Sequence, residues 1–206
     1  IGTIFFMNNL IKQGQGASYG VASGTLVFVN DEKSARRVKR GDIVVSDFLT
    51  PRLAMLARPA SGFVFCGNEA DHTIAYLREV WTPAVLVDSL EALHAGVHVT
   101  IDGFSGEVRS GAVRRKTLPY RTFQSKTKTK LYLQLGVPRM AEKAARLNSA
   151  GITLCRLNLI IQELGIHPEY FFKKKEERML EDILYRGIRR IVKAFYPRPV
   201  WVRTMD

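Results

Sequence analysis

Hydrophobic positions along this chain fall into short runs that alternate between two periods. Residues 21–29, VASGTLVFV, are β-rich and end at Asn30-Asp31. DEKSARRVKRG reads as a short helix stopped by Gly41, and DIVVSD as a strand. TPRLAMLARPA places Pro51 at a helix start, where its missing N–H costs least. GFVFCG predicts a strand, residues 71–80 a helix and PAVLV a strand. DSLEALHAG predicts a helix with Asp88 or Ser89 as N-cap and Gly96 as C-cap. HVTIDGFSGEVRSG predicts a hairpin, with Asp102-Gly103 and Ser105-Gly106 as turn signals. The glycines at 14, 16, 20 and 24 precede a strand, with no Walker lysine after them, so they read as turns and close packing.

The pattern then changes. Residues 112–130 carry many charges and few core positions, which predicts a linker between a domain over 1–111 and a second over 131–206. The second domain repeats strand and helix: KLYLQLG, then PRMAEKAARLNSAG, then ITLCRLNLII as a buried strand. A long amphipathic helix over EYFFKKKEERMLEDILYRGIRRIVKAF follows, and PVWVRTMD is a third strand. That order suggests a parallel sheet or the opening of a (β/α) barrel. Three strands do not close a barrel, so this module reads as cut off, with apolar faces that favour self-association.

Composition narrows the chemistry. The chain has 206 residues, 46% of them hydrophobic, enough for a sizeable core. No run approaches the length of a membrane span. The first residue is Ile1, so the natural start is expected upstream. Two distant cysteines, Cys66 and Cys155, make no disulfide framework, which points to a reducing cytoplasm. The four histidines show no metal-site spacing, and no metal ligands are assigned. The formal charge of +12 raises nucleic acid as a partner. But the basic residues gather in the linker and on one helix of alternating charge, without stacking aromatics, which disfavours that reading.

GQGASYGVASGTLVFV, GDIVVSDFLTP, GNEADHTIAYLREVWTPAVLV and LHAGVHVTIDGFSGEVRSG resemble, in that order, the swivelling β/β/α phosphohistidine domain of PEP-utilising enzymes. TKLYLQLGVPRMAEKAARLNSAGITLCRLNLIIQELGIHP and FYPRPVWVRTMD resemble the first three strands of their PEP/pyruvate-binding (β/α)8 barrel. The strings GIHP and FYPRP favour the phosphoenolpyruvate synthase (pyruvate, water dikinase) branch over pyruvate phosphate dikinase or enzyme I. The resemblance implies an α/β chain carrying a phosphohistidine domain and an incomplete TIM barrel. It implies a phosphoryl relay from ATP through a histidine to pyruvate, giving PEP. ATP would bind an ATP-grasp domain outside this chain, and Mg2+ would be held by barrel ligands downstream of Asp206.

Within that resemblance His72 is the phosphoryl carrier, and Gly67, Asn68, Glu69, Ala70 and Asp71 form its loop. A neutral imidazole is a good nucleophile, and a helix N-terminus favours an arriving phosphate. The loop departs from the family's Gly-Gly-Arg-Thr pattern: Glu69 stands at the arginine position and Ala70 at the threonine. Asp71 adds a second carboxylate beside the nucleophile unless it serves as an N-cap. Arg156 and Arg203 occupy the positions where the family's arginines clamp the PEP phosphate. Asn158 stands where the family usually has an acid. These departures keep open a divergent homologue that acts as a binding module, or a related phosphotransferase.

Overall fold

A computed structural model describes residues 9–67, 71–112, 128–164 and 168–204, arranged as mixed α/β structure. They fall into two compact units, within 1–117 and 118–206.

The first unit is built on one eight-stranded sheet. Its strands are β1 (Leu10–Gln13), β2 (Gln15–Ser18), β3 (Val21–Phe28), β4 (Asp42–Ser46), β5 (Gly62–Phe65), β6 (Ala84–Leu86), β7 (His98–Asp102) and β8 (Glu107–Ser110). The order across the sheet is β1-β8-β7-β3-β4-β5-β6-β2. Strands β3 to β6 run parallel, and the outer strands pair antiparallel. The two edge strands, β1 and β2, are consecutive in the chain and separated by Gly14 alone. The sheet therefore curls until its edges are joined through one residue. Leu26, Ile43, Val45, Val64, Val85, Val99, Ile101 and Val108 pack together as its core, as period-2 alternation along each strand requires.

Helices α1 (Glu32–Ala35), α2 (Pro51–Leu56) and α3 (Asp71–Glu79) follow β3, β4 and β5. Asp31 and Ser34 close a capping box on α1. Thr50 caps α2, its Oγ1 accepting from the Leu53 N–H at 3.2 Å, with Pro51 next. Thr50→Ala should lower the stability of this unit by about 1 kcal/mol, measured by urea denaturation; no change would mean that water replaces the cap.

Two expectations fail in this unit. The short strands β1 and β2 were not anticipated, because neither carries an alternating apolar pattern. The helix expected from Asp88 to Gly96 is absent, because its backbone is committed to β3. The Gly96 N–H donates to the Leu26 carbonyl at 2.9 Å, and the Leu26 N–H donates to the Val97 carbonyl at 2.9 Å.

The second unit has three parallel strands in the order β11-β10-β9: β9 (Leu133–Gln134), β10 (Ile152–Arg156) and β11 (Val200–Arg203). A 3-10 turn and α4 (Ala141–Ala144) link β9 to β10. Helices α5 (Leu157–Gln162), α6 (Pro168–Lys173) and α7 (Glu177–Phe195) link β10 to β11. The expected strand ITLCRLNLII ends at Arg156, and LNLIIQ is helical. Its apolar run fits a buried helix as well as a strand, and Ile161 packs with Phe171 and Leu180. The expected long helix is two, divided where Lys175 takes a φ of +57°. Gly187 lets α7 approach α5 closely, since a Cβ there would stand 2.6 Å from Ile160.

Candidate functional site

The carboxyl ends of β4, β5 and β6 form one edge of the first sheet. Gly67, just past β5, has a φ of +109°, a left-handed conformation that suits glycine. The backbone resumes at Asp71, the first residue of α3, with His72 second. His72 therefore sits in the first turn of a nine-residue helix, where free N–H groups and the helix dipole favour an anion. Asp71 is helical rather than the residue before the helix, so the N-cap role considered for it is not where the backbone places it. Asn68, Glu69 and Ala70 lie outside the described residues.

Lys12, Asp88 and Ser89 meet at this edge. The half-buried Lys12 Nζ stands 2.6 Å from Asp88 Oδ1 and donates to Ser89 Oγ at 2.9 Å. The hydrogen bond from the Lys12 ammonium to Asp88 holds that carboxyl below the usual carboxylate range. The Cys66 thiol is pushed up, first by burial and then by the charges of Asp47 and Asp88. It is thus poor in thiolate and packs with the core, as its place in an apolar run suggested. Sequence reasoning missed Lys12, because nothing along the chain shows that β1 ends beside residues 88 and 89. His94 and His98 are exposed, and His167 lies outside the described residues.

In the second unit Arg156 ends β10 and Arg203 ends β11. They are register partners in the parallel ladder. Paired positions on neighbouring strands are about 4.8 Å apart and project to the same face. The chain turns from β10 straight into α5, with Arg156 at the N-cap position. Gly136, just past β9, lies against the same point: a Cβ there would stand 2.8 Å from the Arg156 carbonyl oxygen. Two carboxylates of this unit pair with other arginines, Glu163 with Arg139 at 2.6 Å and Glu142 with Arg190 at 2.9 Å. Trp201 precedes Arg203 by two residues and shares its face. The Trp201 ring meets Tyr132, beside β9, edge-on at 5.4 Å across the intervening β10. Two arginines at paired strand positions can hold an anion with two or more acceptor oxygens.

Residues 110–206 match the family model described as PEP-utilising enzyme, PEP-binding domain. By sequence the chain is similar to phosphoenolpyruvate synthases. It is 34% identical to the probable phosphoenolpyruvate synthase of Archaeoglobus fulgidus, over 96% of this chain and 27% of that protein. It is 32% identical to the phosphoenolpyruvate synthase of Pyrococcus furiosus, over 96% of this chain and 26% of that protein. The Helicobacter pylori phosphoenolpyruvate synthase is 28% identical over 96% and 28%. The chain thus spans little more than a quarter of the length of these curated relatives. A solution structure of Enzyme I aligns with 39% of this chain and 34% of its own, at 23% identity and a TM-score of 0.34. No helix among the described residues is long and apolar enough to cross a membrane.

Proposed function

We propose that this chain is the phosphoryl-carrying and PEP-binding portion of a phosphoenolpyruvate synthase-like phosphotransferase. The observation that carries the reading is the register pairing of Arg156 with Arg203 at the carboxyl ends of two parallel strands. Within it, the first unit is a swivelling phosphohistidine domain and the second the opening of a (β/α)8 barrel.

A neutral His72 ring nitrogen takes the β-phosphoryl group of ATP, AMP and, with water, phosphate being released, and the first turn of α3 stabilises the arriving charge. The phosphohistidine then delivers it to the enolate oxygen of pyruvate. The N–P bond breaks as the O–P bond forms, and the imidazole is regenerated. Arg156 and Arg203 bind the phosphate oxygens of the product and offset the charge that builds on them in transfer. Magnesium is expected for such a reaction. Among the described residues, however, no group of three His, Cys, Asp or Glu side chains is placed to hold a metal ion, so no step is drawn through it. A reducing cytoplasm suits both free thiols.

The test is pyruvate-dependent conversion of ATP to AMP and phosphate by the full-length protein. His72→Ala should abolish that conversion, together with acid-labile phosphate on the chain. A second reading, a binding module without phosphoryl transfer, is favoured by Glu69, Asp71 and Asn158. Unchanged activity or phenotype in the His72→Ala protein would sink the first reading.

A further inference from the structure

The string FYPRP contains an arginine, Arg198, that ties several backbone carbonyls together. Arg198 lies between α7 and β11. Its Nη2 donates to the Ala145 carbonyl at 2.7 Å. Its Nη1 donates to the carbonyls of Leu147 and Ser149, each at 3.3 Å, and to Ser149 Oγ at 3.4 Å. The guanidinium carbon sits 4.6 Å from the centre of the fully buried Phe195 ring. Ala145 is the C-cap of α4, where carbonyls lack helical partners and a cation is favoured. Residues 145–149 lead directly into β10, and Arg198 leads directly into β11.

Backbone contacts join the same two segments. The Ile152 N–H donates to the Pro199 carbonyl at 2.9 Å. A Cβ on Gly151, whose φ is +147°, would collide with that carbonyl. The strands thus start together at a clamped point, with the arginine pair at their far ends. The ladder between is not regular. Ile152 pairs with Val200 and Cys155 with Val202, so three steps along β10 match two along β11. β11 has four residues and, among the described residues, pairs with β10 alone. A slip of one residue would turn Arg203 to the opposite face.

We propose that Arg198 is a positioning residue of the anion site: by tying the start of β11 to the turn before β10, it holds Arg203 level with Arg156. This rests on the reading that the arginine pair binds phosphate. Arg198 itself lies at the other end of the strand and touches no ligand.

The test compares Arg198→Met, which keeps an unbranched apolar stem, with Arg198→Lys, which restores a cation. Hydrogen exchange and PEP titration are both measured far below the unfolding midpoint. Arg198→Met should bind PEP about tenfold more weakly while fully folded, the equivalent of one lost charge-assisted hydrogen bond. The amides of Val202 and Arg203 should exchange faster, with α7 unchanged, and Arg198→Lys should recover part of both. A Met variant with a lowered melting temperature but wild-type PEP affinity and β11 protection would overturn the proposal. If the unmutated chain fails to bind PEP, the phosphate reading of the arginine pair falls. The β11 exchange still decides whether Arg198 holds the strand: unchanged protection refutes the clamp, and faster exchange supports it.

Discussion

Arg156→Ala should weaken PEP binding by this chain about 10- to 100-fold, and Arg203→Ala should do much the same. The expectation follows from their pairing across β10 and β11. Like charges placed side by side on a sheet repel each other, and an anion bridging them removes that repulsion while accepting hydrogen bonds from both. Removing either leaves a single point of attachment, so the double variant should lose little beyond the worse of the two. Arg203→Lys keeps the charge but loses the planar fork, and should fall between wild type and Ala. Affinity should also drop with added salt, because Arg203 is exposed. Trp201 offers the readout: it shares a face with Arg203, and the chain has only one other tryptophan, Trp81. A Trp81→Phe background makes the titration report on Trp201 alone. PEP affinity unchanged in both alanine variants would remove the arginines from the site.

Gly14→Ala should sharply lower the stability of the first unit. Gly14 is the lone residue between the two edge strands. Its N–H donates to the Gly106 carbonyl at 2.8 Å, on the β7–β8 turn. A Cβ there would fall on the Leu86 carbonyl oxygen of β6 and stand 2.9 Å from Val87 Cγ1. Both obstacles belong to strand β6 and its immediate continuation, so relief requires backbone movement exactly where the sheet closes on itself. An overlap of this kind costs about 3 kcal/mol or more, which lowers the melting temperature of a unit this size by on the order of 15 °C. Gly96→Ala is the control: its φ of +82° strains an alanine, but a Cβ there meets nothing within 4 Å, so it should cost only about 1–2 kcal/mol of backbone strain. Circular dichroism melts that show equal losses for the two variants would mean that the closure at Gly14 is looser than its contacts indicate.

Much of the fold was legible because period-2 and period-3.6 patterns reflect local geometry. β3, β4, β5, β7 and β8 follow alternating or continuous apolar runs, and the hairpin turn follows Asp102, whose carboxylate accepts from the Phe104 N–H at 2.8 Å. The Thr50-Pro51 helix start was equally readable, since a cap and a proline act within one turn of chain. Where an apolar run was short, the pattern could not choose: LNLII suits a helix on a buried face or a strand. Where a strand was four residues long and did not alternate, as in β1 and β2, the pattern was silent.

For the candidate site the division is similar. Sequence by itself determined which residue types were available: a histidine ahead of an amphipathic helix, two arginines ending strand-like runs, and the acidic substitutions at 69 and 71. Only the tertiary structure decided which of these share a face. Arg156 and Arg203 are 47 residues apart in the chain, and they become neighbours through ladder register, a property of hydrogen bonds between strands. The meeting of Lys12 with Asp88, the closure at Gly14 and the reach of Arg198 to three carbonyls before β10 are likewise long-range contacts. They carry no signature in sequence, because periodicity records how a segment meets its surroundings and not which segment it meets.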